Sequence, residues 1–341
     1  MNLSHHMIPK EHGAWAVLLA PLLIGASAAG AWHWNVASLM FASLAFFISY
    51  VPLQIVLRHY NSVPQGPQRL RAARIWAMLD LTLGGLALAP LFWQGLWLLL
   101  PIGAAAMLLF VIHFAWMRRH AKGLASDFIA VAGLALTAPA AYYVVTAQID
   151  QTAILLWLCN VLFFGCSVFY VHMKIKATTL KKSALPWHEK LSLGKLNLLY
   201  HFMVLLIVGG FTVMLFTPLL VFLAFIPITM HAIYGTLKLS SNVRFKRLGI
   251  ILVGHTVIFA LLLGLAHART IDGQERSQKQ EKASLATTNV ITTPFDLNAQ
   301  LHAAQPGDTI YVPAGVYEGN FVIDKKLVLL GQGFPVLNGK G

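Results

Sequence analysis

The chain has 341 residues, 57% of them hydrophobic and only 11% charged, against about 25% charged in an ordinary soluble protein. So little charge cannot clothe a water-facing surface, which excludes a soluble globular enzyme. The net charge of +13 lies within residues 1–266, which hold 18 of the 25 Lys and Arg but only 5 of the 12 Asp and Glu, so the basicity reports membrane topology and not nucleic-acid binding.

Crossing a bilayer takes roughly 20 mostly apolar residues. Nine stretches meet that need: residues 13–30, 36–57, 75–91, 96–116, 128–145, 154–173, 196–215, 219–236 and 249–266. The first is followed at once by a second, so it reads as a retained helix and not a cleaved signal. Between them, every second loop carries the positive charge. Arg58, Arg69, Arg71 and Arg74 follow the second stretch, and Arg118, Arg119 and Lys122 follow the fourth. Lys174, Lys176, Lys181, Lys182, Lys190 and Lys195 follow the sixth, and Lys238, Arg244, Lys246 and Arg247 the eighth. The alternate loops, at 31–35, 92–95, 146–153 and 216–218, have neither Lys nor Arg. By the positive-inside rule the amino terminus is cytoplasmic and an odd number of spans puts the carboxyl terminus in the periplasm, the expected setting being the inner membrane. Trp32, Trp34, Trp93, Trp97 and Trp157 then fall at the outer boundary and Trp15, Trp76, Trp116 and Trp187 at the inner one, as interfacial anchors do.

Cys159 and Cys166 are seven residues apart in one apolar stretch, about 10 Å along a helix axis. That exceeds disulfide reach, so both are expected as free thiols. Residues 267–293 turn polar and read as a linker or a helical extension of the last span. Beyond them, residues 309–312, 321–323, 327–330 and 336–337 are short β-rich runs punctuated by Gly and Asp turns, the pattern of a β-solenoid's opening coils. Such coils need about three repeats for stability, so the chain is expected to stop inside a domain. The expected organisation is therefore a nine-helix transmembrane domain over 1–266, a polar linker over 267–293, and an incomplete periplasmic β-helix over 294–341.

The run Ala304-Gln305-Pro306-Gly307-Asp308-Thr309-Ile310-Tyr311-Val312-Pro313-Ala314-Gly315-Val316-Tyr317 resembles the first coil of NosD-like right-handed β-helix proteins. The resemblance implies partners in the periplasmic maturation of nitrous oxide reductase. Across about the last fifty residues, which the resemblance covers, His302 stands alone with no Cys or Met nearby, so no metal is assigned to this segment. In the membrane part, Ile8-Pro9-Lys10-Glu11-His12-Gly13-Ala14-Trp15, Ser126-Asp127 and Ser167-Val168-Phe169-Tyr170-Val171-His172-Met173-Lys174 resemble the YwiC-like membrane family over residues 7–266. That resemblance implies a setting in anaerobic nitrate and nitrous oxide respiration. An all-α bundle of about nine helices with its amino terminus inside is also similar in outline to the UbiA-type prenyltransferases, an analogy of fold that carries no function. Those enzymes hold magnesium and diphosphate with Asp-rich loops; here the corresponding loops, 58–66 and 174–195, offer only Glu189.

Ionisable groups inside spans are costly and are candidates for function by default. Glu11, His12, Arg58, Asp80, Asp127, Tyr170, Lys174, His201, His231 and His255 all lie toward the cytoplasmic side, which predicts a polar cavity opening there. The alternative for each is a side chain that snorkels to water or a structural ion pair, such as Asp80 or Asp127 with Arg58, Arg74 or Arg118. His59, His113, His120 and His188 read as snorkelling histidines. His231, Tyr234 and Lys238 share a helical face, as do Tyr170 and Lys174. No span holds two histidines at metal-ligand spacing. A lipid-like or small anionic ligand, met by Arg58, Lys174 and His12, fits the cationic rim better.

No Walker loop, dinucleotide fingerprint, nucleophile elbow or CxxC is found. Four readings follow: a YwiC-like membrane protein with a cytoplasm-facing cavity, a divergent prenyl-, lipid- or quinone-modifying enzyme, a transporter or assembly factor for metal or nitrogen oxyanions, and a scaffold that anchors the β-helix.

Overall fold

The computed structural model describes residues 7–9, 12–61, 66–119, 123–180, 185–288 and 295–339, excepting the side chains of residues 12, 60, 61, 119 and 268–288. It divides into two compact units, Met1–Gly273 and Gln274–Gly341.

The first unit is helical: α1 His12–Ala28, α2 Trp34–Asn61, α3 Pro67–Trp93, α4 Leu99–Arg119, α5 Leu124–Leu134, α6 Thr137–Thr146, α7 Gln151–Thr179, α8 Trp187–Val213, α9 Leu219–Leu237 and the part of α10 Phe245–Thr288 up to Gly273. Eight segments among the described residues are long and apolar enough to cross a membrane, α5 and α6 together forming one of them; α1, the first of the nine expected spans, is a shorter apolar helix. The outward surface confirms the solvent. Met78, Leu83 and Leu86 on α3, Met107 and Leu108 on α4, Phe202 and Leu206 on α8, and Ile250, Val257 and Leu261 on α10 are all exposed. A soluble monomer does not present contiguous apolar faces of that extent; lipid chains accept them.

Inside, α7 supplies the centre. Phe163 stacks on Phe259 of α10 with ring centroids 3.9 Å apart, and Phe225 of α9 meets both rings edge-on. Cys159 and Cys166 are free and buried here. Small residues let α1 and α6 approach closely: a Cβ placed on Gly25 would overlap the Ala138 carbonyl. In the same contact Thr137 Oγ1 donates to Leu18 O at 3.0 Å.

Several boundaries differ from those read in the sequence. Arg69, Arg71 and Arg74 lie on the first turns of α3, Lys174 and Lys176 on the last turns of α7, and Lys190 and Lys195 on α8. The helices outrun their apolar cores because long cationic side chains carry their charge to water while the backbone stays helical. The fifth stretch is not one helix: it breaks at Ala135–Leu136, four and three residues before Pro139. Proline has no N–H for the carbonyl four residues back and its ring crowds it, and Ala138 N–H bonds Ala135 O instead, at 3.0 Å. Residues 216–218 belong to the short turn joining α8 and α9, two helices of 27 and 19 residues. Of the two readings of residues 267–293, helix continues to Thr288 in α10.

The second unit holds α11 Leu297–Ala303, whose N-cap Asp296 accepts from the N–H groups of Asn298 and Ala299, and four strands. β1 Thr309–Val312 pairs in parallel with β3 Val328–Gly331, and β2 Val316–Glu318 with β4 Val336–Asn338. Thr309 faces Val328 and Val316 faces Val336, so the chain returns to the same strand position after 19 and 20 residues. Residues 321–323, expected as a strand, form none; Phe321 packs on the core of Leu297, Leu301, Ile310 and Val312 without entering a ladder. The strand at 316–318 was not read from the sequence.

Candidate functional site

The ten candidate residues do not share one cavity. Glu11 and the side chain of His12 lie outside what the structure describes. Arg58 is exposed on the last turn of α2. Asp80 is buried and engaged on α3, which packs chiefly on α2.

A first polar group joins α2, α4, α5 and α7. Ser126 Oγ caps the start of α5 through Gly123, accepting its N–H at 3.1 Å. His113 is buried, its Nδ1 2.8 Å from Ser126 O and its Nε2 3.3 Å from the Tyr50 hydroxyl, to which Gln54 also bonds. It is a satisfied core histidine, not a snorkelling one. Asp127 sits in the first turn of α5, where the helix dipole favours a carboxylate, and is 2.9 Å from His172 Nε2 on α7. Its partner is a histidine and not an arginine. This pair joins α5 to α7 as structure. Asp127→Ala is expected to cost about 1 kcal/mol, the net worth of one such bond, which thermal unfolding in detergent would show as a modest fall in midpoint.

The second group joins α7, α8, α9 and α10 at the ends where the positive charge collects. Tyr170, Lys174, His201, His231 and His255 meet there. Rings of Tyr170 and His231 are 5.0 Å apart and those of His231 and His255 4.9 Å. Lys174 Nζ lies 5.2 Å from the centre of the Tyr170 ring and donates to Gly235 O at 2.8 Å. His201, 1% exposed, is close enough to His231 for their charges to interact, as His231 is to His255 and Lys174. No carboxylate among the described residues acts on Lys174, His201 or His231.

The local sequence explains this packing. Gly235 admits the Tyr170 ring where a Cβ would collide with its hydroxyl, and Gly194 admits Thr236 in the same way. Asn197 Nδ2 donates to Thr236 Oγ1 at 3.3 Å while that hydroxyl donates to Ala232 O at 2.8 Å. His201 and His255 each direct Nδ1 at the carbonyl four residues earlier, Asn197 O and Ile251 O, both at 2.8 Å. The Nε2 atoms of His201 and His231 and Oδ1 of Asn197 are buried with no hydrogen-bond partner among the described residues. Buried polar atoms are ordinarily paired, and these three have no partner among the described residues.

Tyr234 and Lys238 are exposed and do not join His231, whose face toward α7 and α10 is the one used. Asn197, Gly235 and Thr236 went unread as site residues, although a glycine inside an apolar helix was the available signal. Among the described residues no three His, Cys, Asp or Glu side chains form a metal-holding group.

The family model described as YwiC-like protein matches residues 8–142. The "Uncharacterized protein YwiC" of Bacillus subtilis (strain 168) is 28% identical over 171 residues, which covers 50% of this chain and 67% of that protein. No solved structure matches. The family match is narrower than the resemblance over residues 7–266: it takes in α1 to most of α6, with Arg58, Asp80 and Asp127, whereas the α7–α10 group lies beyond it.

Proposed function

We propose that this multi-pass membrane protein binds an anionic ligand, a lipid headgroup or a small oxyanion, in the α7–α10 group, entered from the cytoplasmic side of the inner membrane. One observation carries this reading. A half-buried ammonium and the His231 imidazole lie beside Tyr170, with His255 against His231 and His201 near it, no carboxylate acts on Lys174, His201 or His231, and two of the imidazoles keep a buried unpartnered nitrogen. Opposite charge from a ligand is the missing element in that arrangement, since a desolvated cation is stable only when paired.

Protein purified into nanodiscs of zwitterionic lipid is expected to bind nitrate or sulfate saturably, and failure of both these anions and of anionic lipid to bind would end the proposal. The cytoplasmic placement rests on the charge alternation. Alkaline phosphatase fused after Ala266 is expected to be active and a cytoplasmic reporter at the same point silent; the reverse result would invert the site's side.

The parallel ladders with their return of 19 and 20 residues support reading the second unit as the opening coils of a β-helix. The setting in nitrogen-oxide respiration, with partners in nitrous oxide reductase maturation, rests on the resemblances of the tail and of the membrane segments.

A further inference from the structure

We infer that the α7–α10 site takes its anion together with a proton, so that binding is coupled to proton uptake. The inference rests on the anion reading above and follows from hydrogen positions that the geometry dictates.

A carbonyl oxygen can only accept. Nδ1 of His201 and of His255, each 2.8 Å from a backbone carbonyl, must therefore carry hydrogen. A neutral imidazole has one N–H, so in both rings Nε2 then presents a lone pair. In His201 that nitrogen is buried and unpartnered, as are Nε2 of His231 and Oδ1 of Asn197. The charged donor in the group is Lys174, with one hydrogen committed to Gly235 O. Beside that ammonium, His201 and His255 thus present lone pairs that an anion's oxygen cannot bond, in a place whose overall charge favours an anion.

A deprotonated oxyanion meets repulsion from those lone pairs. The conflict is resolved when a proton comes too, either added to Nε2 from solution or carried in on the ligand's own oxygen and hydrogen-bonded to Nε2. Both routes have the same balance: one anion and one proton enter, and the net charge of the site is unchanged. Without the anion, an imidazolium here would face Lys174 and a second histidine with no carboxylate to offset it, so the proton and the anion each require the other. The titratable groups of the cluster are Tyr170 and Lys174 from α7, Tyr200 and His201 from α8, His231 from α9 and His255 from α10.

The sign follows from linkage. A site that gains a proton on binding holds its ligand more tightly as pH falls, with the dependence confined to the window between the imidazole ionisations of the free and occupied site. The probe is nitrate, which carries no proton of its own across the imidazole range of about pH 5 to 8. The full chain, in nanodiscs of zwitterionic lipid, is titrated with nitrate by calorimetry in buffers of differing ionisation heat, and a parallel set contains phosphatidylglycerol. The expected result is uptake of about one proton per nitrate and an affinity that weakens about tenfold per pH unit within the window. His201→Gln and His231→Gln, each checked for monodispersity, are expected to flatten that slope, and His255→Gln serves if either fails to fold. If a lipid headgroup is the ligand, phosphatidylglycerol competes with nitrate and shows the same slope. Anion binding with no proton uptake in either set overturns the coupling and leaves the anion site standing. No binding of nitrate or of phosphatidylglycerol at any pH overturns both.

Discussion

Gly25→Val is expected to detach α1 from the bundle. A side chain at this position has nowhere to go, because its first carbon would overlap the backbone carbonyl of Ala138, which cannot swing aside as a side-chain end can. Relief requires the whole of α1 to retreat from α6. That movement would uncover Leu22, Ile24 and Ala26, all at most 1% exposed, and break the bond from Thr137 to Leu18 O. Overpacking of a close contact costs about 1 to 3 kcal/mol, and a collision against backbone belongs at or above the top of that range. The measurement is the unfolding midpoint in detergent together with the monodisperse fraction after extraction. Gly103→Ala is the control, since a Cβ there meets nothing within 4 Å. An unchanged midpoint for Gly25→Val would mean that α1 and α6 do not touch as described.

Lys174→Met is expected to weaken nitrate binding at least tenfold, equivalent to about 1.4 kcal/mol. Methionine keeps most of the stem that lies along Tyr170 and removes the ammonium. The lysine has a structural task as well, because Gly235 O is among the last carbonyls of α9, which have no partner within the helix. Lys190 does the same for Leu237 O at 3.2 Å. Comparing the two separates the roles: Lys190→Met is expected to lower stability slightly and leave nitrate affinity intact. Equal affinities for Lys174→Met and the unaltered protein would remove Lys174 from the site.

The membrane architecture was legible in the sequence because lipid imposes it residue by residue. Hydropathy marked the spans, while the side rests on the alternation of Lys and Arg alone. Helix ends were less legible: Arg69 to Arg74 and Lys190 to Lys195 look like loop residues by charge, yet their stems allow helix to continue. Pro139 did carry the signal for the break between α5 and α6. The site was half visible. Tyr170, Lys174, His201, His231 and His255 stood out as ionisable groups in apolar stretches, but so did Asp80, Asp127 and Arg58, and only packing sorts them. Nothing along the chain says that Asp127 will choose His172, or that His201 will spend Nδ1 on its own helix. In the second unit, Val316-Tyr317-Glu318 is too short and mixed to read as a strand, whereas Phe321-Val322-Ile323 reads as one and is not.

Helix α7 carries His172 toward α5 and Tyr170 with Lys174 toward α9. At about 100° per residue, position 172 is on the opposite side of the cylinder from 170 and 174. The helix is thus pinned on both flanks, and turning it would sacrifice both anchorages together.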